Sequence, residues 1–559
     1  MSGASPTPSS SPTSSMEVNR LYVTRVALTV ALGGFLMGFD ASVISGVVGF
    51  IETEFSLTKA QLGFSVASLT LTSTLAMMLA GPLADRFGRK PILFAAAILY
   101  AISAIGSALA PSFAALVIAR MIGGIGVGAS LIIAPMYIAE LAPPHMRGQM
   151  VSFNQLNIVI GITVAFFTNY LILQLADSSA GWALSLGIAG NEWRWMLGLE
   201  TLPAILYFFG LFFVPSSPRW LLMQGRRDEA LPVMQMAIGN VAAIQELDEI
   251  QESMSEDREE RAEALAEVER RLKAGDSLLR IRVGQLVNRL GQLFSPSLRL
   301  VLTIGIVIGV IQQATGINAV FFYAPTIFEQ SGIGTDAAFV QAILVGVINL
   351  VFTLLAIMVI DRLGRRPLLI GGLVGITLSM CLLAYGFGQA TYTLTPAATE
   401  IVEDASLAPS IAPLIGQTYE SDVAFKAALT EAIGREEATR YESEFLTDAV
   451  ALSPMLILIG ILGFVASFAM SLGPVMWVLF SELFPAWIRG IAISFVGFIN
   501  SIVSYTVQQI FPVELAALGA ATTFAIFGVI ALLGLVFVYF VVPETKGKSL
   551  EELEAELVR

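Results

Sequence analysis

A chain of 559 residues that is 55% hydrophobic and only 13% charged, with a mean hydropathy of +0.76, is too apolar for a soluble protein of this length. Its single cysteine, Cys381, excludes an internal disulfide, and its net charge of −13 has to sit outside the apolar segments. Repeated apolar runs of about 20 residues or more predict spanning helices. They lack the alternation of a membrane β-barrel, so the chain reads as an all-α membrane protein.

Residues 1–19 are Ser/Pro-rich, lack the basic start and apolar centre of a signal peptide, and read as a disordered cytoplasmic tail. Six helices are predicted at 26–50, 61–81, 91–110, 113–138, 151–175 and 194–214, giving an N-terminal half over 20–214. A charged stretch, 215–298, follows. Runs such as "EDREERAEALAEVERRLK" predict short amphipathic helices, and the stretch reads as a cytoplasmic helical linker. Six more helices, at 299–328, 338–360, 367–390, 452–481, 491–513 and 519–542, make a C-terminal half over 299–542, and 543–559 is a cytoplasmic tail. Lys and Arg cluster after the second, sixth and eighth helices, while the loop after the first has only Lys59 and that after the third has none. The positive-inside rule then puts both termini in the cytoplasm of a plasma or inner membrane protein.

The halves repeat each other. "DRFGRK" from Asp85 returns as "DRLGRR" from Asp361, 276 residues on, and "AELAPPHMRG" returns as "SELFPAWIRG", with Glu140 and Arg147 against Glu482 and Arg489, 342 residues on. The spacing grows by 66 residues, so the second half carries an insertion of about that size. It is the segment 391–450, with eleven Asp/Glu against three Lys/Arg. It reads as a solvated extracytoplasmic loop that accounts for most of the net charge.

The ordered set of "DRFGRK" and "DRLGRR", "YIAELAPPHMRG", "PSSPRWLLMQGR", "QQATGIN", "GPVMWVLFSELFP" and "VPETKGKS" resembles the sugar porter family of the major facilitator superfamily over nearly the whole chain. The resemblance implies the major facilitator fold and sugar transport by alternating access of the two halves. Asp85, Arg86, Arg89, Glu140 and Arg147, repeated as Asp361, Arg362, Arg365, Glu482 and Arg489, are expected to form ion-pair latches of a cytoplasmic gate. One departure is Ser216, where the family commonly has Glu.

Amides in membrane helices must find partners and can both give and accept hydrogen bonds, as a polyol requires. By resemblance Gln312, Gln313 and Asn318 of "QQATGIN" contact sugar hydroxyls, with Gln155, Asn349 and Asn500 as further sugar-binding positions. Trp477 offers a flat face to a sugar ring, and Gly473 and Pro474 would let its helix bend. Taken singly, each amide serves equally as glue between helices. Phe322, Met37 and Ser501 replace Tyr, Phe and Trp found in similar transporters, which widens the pocket and leaves the sugar open among pentoses, hexoses and related polyols.

Intramembrane acids are costly and by default functional. Asp40 in "GFLMGFDASVISG" shares the first half with Arg120 and Glu200, and counting 1.5 Å per residue places the three at about 15, 10 and 9 Å below the outer surface. A cation between two carboxylates, one of which takes a proton, is a proton switch in outline; a static buried pair that fixes packing is the alternative. Similar symporters of the family have Asp here and several facilitators Asn. The expected function is therefore proton-coupled sugar import, with an uncoupled sugar uniporter or a non-transporting sensor as alternatives. No enzymatic function, cofactor, metal site or nucleic-acid partner is expected; His145 stands alone in a turn. The partners are a sugar, a proton and the lipid bilayer, and the default state is a monomer.

Overall fold

The computed structural model describes residues 19–143, 146–252, 291–402, 407–485, 487–548 and 550–557. The expected N-terminal tail, His145 and the amphipathic run at 256–273 lie outside the described residues, as does the side chain of Arg147. Among the described residues twelve spans follow in order. The first ten are α1 (Arg20–Glu54), α2 (Lys59–Phe87), α3 (Arg89–Ala108), α4 (Phe113–Leu141), α5 (Arg147–Ala176), α6 (Glu192–Phe213), α7 (Pro296–Phe322), α8 (Thr335–Leu363), α9 (Arg365–Gly388) and α10 (Pro454–Leu483). The 53-residue stretch Arg489–Val541 holds the last two, α11 (489–518) and α12 (520–541), divided at Gly519, whose φ of 79° and ψ of 166° break the helix. We call the end of the bundle where α1 meets α2 the α1/α2 face and the opposite end the α2/α3 face.

Several helices outrun their apolar cores because capping residues extend them. Asn19 Oδ1 accepts the Tyr22 amide at 3.1 Å and starts α1 six residues ahead of the predicted boundary. Thr58 and Gln61 form a capping box that starts α2. Inside the first half the helices pack at backbone contact: a methyl group at Gly38 of α1 would lie 1.9 Å from the Ile158 carbonyl oxygen of α5. Small residues allow this approach, which replaces the hydrophobic drive that lipid does not supply.

Three spans are broken. In α7 the helix stops at Thr315, Gly316 takes a left-handed φ of 89°, and short helices Ile317–Phe322 and Ala324–Glu329 continue the path. In α10 the break is at Ser471 (φ −130°, ψ −95°), ahead of the expected Gly473 and Pro474. Pro474 has no N–H to give to the carbonyl four residues earlier and its ring crowds it, so the distortion appears one turn before the proline. In α6 a turn at Leu199 and Glu200 separates Glu192–Gly198 from Thr201–Gly210.

The acidic segment 391–450, expected as a solvated loop, is instead a folded module. Its three strands, β1 (Thr391–Thr393), β2 (Thr418–Tyr419) and β3 (Val450–Ala451), pair antiparallel in the order β2-β1-β3. Helices Asp422–Ile433 and Glu442–Ala449 pack on them. Tyr392, Phe425, Leu429, Phe445 and Leu446 make a separate core. Most of the acids lie on the outside of helices whose apolar faces are buried together, with Asp422 buried and Glu442 half-buried, a period that the charge count hides.

The described part of the linker lies on the α2/α3 face. Helices Pro218–Met223 and Arg227–Ile238 bury Leu221, Val233 and Met234 in one core with the ends of α1 and α4.

Candidate functional site

The charged cluster lies in the first half. Asp40, Arg120 and Glu200 are each buried to within 2% of full enclosure. Arg120 Nη1 pairs with Asp40 Oδ1 at 3.3 Å, and Arg120 Nε donates to the Ser65 carbonyl of α2 at 3.1 Å. That second bond fixes the plane of the guanidinium and aims it at Asp40. Asp40 Oδ2 and Glu200 Oε1 are buried without a hydrogen-bond partner, and no ion pair joins Glu200 to Arg120 among the described residues. Such orphaned oxygens are costly in a low-dielectric interior. Gly123 keeps α4 close: a methyl there would lie 3.1 Å from Asp40 Oδ2.

The neutral cluster lies in the second half, where the α7 break meets α10 and α11. Gln312 Nε2 donates to the Leu472 carbonyl at 3.0 Å, just past the α10 break. Asn500 Nδ2 donates to Gln312 Oε1 and to the Gly309 carbonyl, both at 2.8 Å, while Gln313 Nε2 donates to Asn500 Oδ1 at 3.2 Å. Asn318 Nδ2 donates to Gln313 Oε1 at 2.8 Å and to Ser504 Oγ at 2.7 Å. The amides thus satisfy one another in a chain of exchangeable bonds.

The other expected site residues stand apart from this chain. Asn349 is buried on α8 and Gln155 is exposed on α5; neither is hydrogen-bonded to the cluster. Trp477 is 47% exposed, edge-on to Phe480 at 5.9 Å between ring centres. Phe322 is buried. Two cavities of about 550 and 510 Å³ lie elsewhere, one against the module at Thr335 and Ser443 and one under α3 at Lys90 and Trp220.

Three residues that the sequence reading did not single out extend the neutral chain. Gln508 Nε2 donates to Ser504 Oγ at 2.8 Å, and Thr70 Oγ1 of α2 donates to Gln508 Oε1 at 2.9 Å, which carries the chain into the first half. The signal for Gln508 was present, since an amide in a membrane span needs a partner. Thr70 and Ser504 gave none, because hydroxyls in helices commonly bond to their own backbone.

The repeated motifs form matching networks on the α2/α3 face. Arg89 is held by Glu140 at 2.8 Å and Asp85 at 3.0 Å; Arg365 is held by Glu482 at 2.8 Å and Asp361 at 3.0 Å. Ser217 donates to Glu140, next to the Ser216 position where a carboxylate is missing, and Thr545 donates to Glu482 at 2.6 Å. Arg86 lies over the Phe87 ring, the Arg362 carbonyl accepts from Lys546, and Arg489 Nε donates to the Phe484 carbonyl at 2.9 Å. Each of these contacts stays within one half or ties it to the linker or tail that follows it.

Bonds between the halves sit at mid-bundle or toward the α1/α2 face. Besides Thr70 and Gln508, Thr163 Oγ1 donates to the Gly346 carbonyl at 3.0 Å, Gln509 Nε2 to the Ala60 carbonyl at 2.8 Å and Gln174 Nε2 to Asp336 at 3.0 Å. The α1/α2 face is closed by these contacts.

Comparison with known proteins agrees with this architecture. The family described as "Sugar (and other) transporter" matches residues 26–402 and 442–557. The chain is 34% identical to the D-xylose-proton symporter of Escherichia coli K12, over 96% of each chain, and 32% identical to the arabinose-proton symporter of Bacillus subtilis, over 95% of this chain and 94% of that one. It is also 32% identical to the glucose transport protein of Synechocystis, over 98% of this chain and all of that one. An inward-open structure of the E. coli xylose transporter superposes with a TM-score of 0.70 at 32% identity, covering 96% of this chain and 100% of that chain. With its duplicated twelve-helix fold and this match over most of its length, the chain belongs to the sugar porter family of the major facilitator superfamily.

Proposed function

We propose that this protein imports a pentose, hexose or related polyol together with a proton, with the α1/α2 face outward and both termini cytoplasmic. The observation that carries the reading is the enclosed Asp40 and Arg120 pair in one half, with Asp40 Oδ2 unpartnered, opposite an amide chain in the other half. Symporters for xylose and arabinose among the relatives support the coupling, and a glucose transporter among them keeps the sugar class broad.

Asp40 Oδ2, the free oxygen, takes the proton from outside. Neutral Asp40 no longer holds Arg120, which then turns toward Glu200, whose Oε1 waits without a partner. Sugar hydroxyls replace the amide-to-amide bonds of Gln312, Gln313, Asn318 and Asn500 one for one, so the cluster is satisfied both empty and loaded. Gln155, Asn349 and Trp477 complete the site when the halves close on the sugar. Ser504 and Gln508 connect it to Thr70 in the other half. The ion networks at Glu140 and Glu482 hold the cytoplasmic ends of each half as rigid units and, with Arg147 and Arg489, form the inner gate when the halves meet there. A proton falling through 100 mV supplies about 2.3 kcal/mol, enough to concentrate a neutral sugar roughly fiftyfold.

The test is to add D-xylose, and separately D-glucose, to weakly buffered cells that express the protein while recording external pH. Alkalinisation that saturates with sugar supports symport. Saturable uptake of labelled sugar with no pH change would make the protein a uniporter, and no uptake in proteoliposomes would make it a sensor.

A further inference from the structure

Neither the proton cluster nor the amide chain uses the module at 391–450, and the family match breaks off at 402 and resumes at 442. The module is nevertheless tied firmly to the second half. Asp422 Oδ2 accepts the Ala520 amide at 3.3 Å, at the first residue of α12. Lys426 Nζ donates to Gln330 Oε1 at 2.6 Å and Gln330 Nε2 donates to Glu442 Oε1 at 3.1 Å, so the module grips the tail of α7. The α7 segments Ile317–Phe322 and Ala324–Glu329 pack against α1 across the halves, and so does the module's helix Arg435–Arg440.

From this grip one carboxylate reaches the other half. Glu442 pairs with Lys426 at 2.8 Å and lies 4.0 Å from Lys59 Nζ at the start of α2, and Lys59 pairs with Glu52 near the end of α1 at 2.6 Å. The result is a row of alternating charges, Glu52, Lys59, Glu442 and Lys426, whose side chains are only 12–30% exposed. Its middle link is the ion pair that joins the two halves among the described residues.

We propose that the 391–450 module is a clamp on the outer gate: it pins the end of α7 and, through Glu442 and Lys59, holds the two halves together on the outer face. The row is built to release. When the halves part, Lys59 keeps Glu52 and Glu442 keeps Lys426, so no charge is left alone in a half-buried site, which is the outcome that makes breaking an enclosed ion pair prohibitive. The clamp rests on the reading that the halves rock about a central site, but not on which solute they carry.

The experiment uses the full chain with Cys381→Ser and nitroxide labels at Thr53→Cys and Ala337→Cys, exposed positions at the outer ends of α1 and α8. Pulsed electron resonance in proteoliposomes, without sugar, reads the distance between the halves. Lys59→Gln and Glu442→Gln are each expected to raise the ratio of outward-open to outward-closed carrier about fivefold, the scale of one partly exposed ion pair. The double variant is expected to go no further than either single one. Unchanged distances in both single variants, or a double variant that shows the product of the two effects, would overturn the clamp. So would a drop in melting temperature with no shift in distance, since a purely structural module gives that result. If the wild type carries neither D-xylose nor D-glucose while the distances respond, the sugar reading fails and the clamp stands.

Discussion

The two halves of the transporter are copies at their ends on the α2/α3 face and different in their middles. Arg89 with Glu140 and Arg365 with Glu482 have the same 2.8 Å separation, each supported by an Asp four residues back at 3.0 Å. At mid-bundle the first half encloses charges, Asp40, Arg120 and Glu200, and the second holds a chain of neutral amides, with Gln312 and Asn500 buried and Gln313 and Asn318 half-buried. The repeat is kept in the frame on the α2/α3 face and lost in the interiors. On the function proposed above, the first half reads the proton and the second reads the sugar.

Removing one member from each interior separates the two chemistries. Arg120→Leu leaves Asp40 and Glu200 enclosed without a cation, and is expected to destabilise the folded carrier by about 3–5 kcal/mol. The effect reads as a large fall in melting temperature in detergent. Asn318→Ala, by contrast, removes a neutral group whose neighbours can re-pair. It should leave the melting temperature nearly unchanged and weaken D-xylose or D-glucose binding by calorimetry about tenfold to a hundredfold, the scale of one or two hydrogen bonds. If the amide variant unfolds and the Arg120 variant does not, the division between the halves is drawn wrongly.

A smaller effect probes the seam. Thr70→Val keeps the side-chain volume and removes the hydroxyl that donates to Gln508. Loss of about 1 kcal/mol at this contact is expected to slow counterflow exchange severalfold while equilibrium binding stays within twofold, and Thr70→Ser should restore the rate. A Thr70→Val carrier with normal exchange would remove Gln508 from the connection.

The smallest effect concerns the module. Burial pushes the Glu442 carboxyl up, but Lys426, Lys59 and the Gln330 amide outweigh it and hold the group at about 2, below the ordinary 4.5. A depressed carboxyl stabilises the fold above its ordinary value, and the benefit is lost as pH falls through the lowered one. The difference in melting temperature between wild type and Glu442→Gln is therefore expected to stay constant from pH 5 to 8 and to shrink only below about pH 4. A difference that disappears between pH 6 and 8 would mean that Glu442 is not held by these partners.

Much of the frame was legible because lipid enforces it: spans must be long and apolar, and the repeated motifs mark corresponding helix ends. The breaks in α6 and α7 were not, since the polar residues beside them, Glu200 in α6 and Gln312, Gln313 and Asn318 in α7, mark a site as readily as a helix end, and the α10 break lies a turn ahead of the proline that causes it. The module was misread because a count of its acids ignores the apolar faces of 422–433 and 442–449. Depth along the helices brought Asp40, Arg120 and Glu200 to one level, but whether Arg120 faces one carboxylate or two depends on its bond to the Ser65 carbonyl, which no pattern in the sequence announces. Gln155 was grouped with the other amides by motif. Its helix, α5, lies in the other half, and Gln155 is exposed there rather than bonded to the other amides.

The division of labour between the halves is tested most directly by Asp40→Asn in proteoliposomes, with counterflow exchange and uphill accumulation of labelled D-xylose or D-glucose measured on the same preparation. Exchange is expected within about threefold of wild type, and the accumulation ratio is expected to fall from roughly fiftyfold at 100 mV to one. An Asp40→Asn carrier that still concentrates sugar against its gradient would contradict that division.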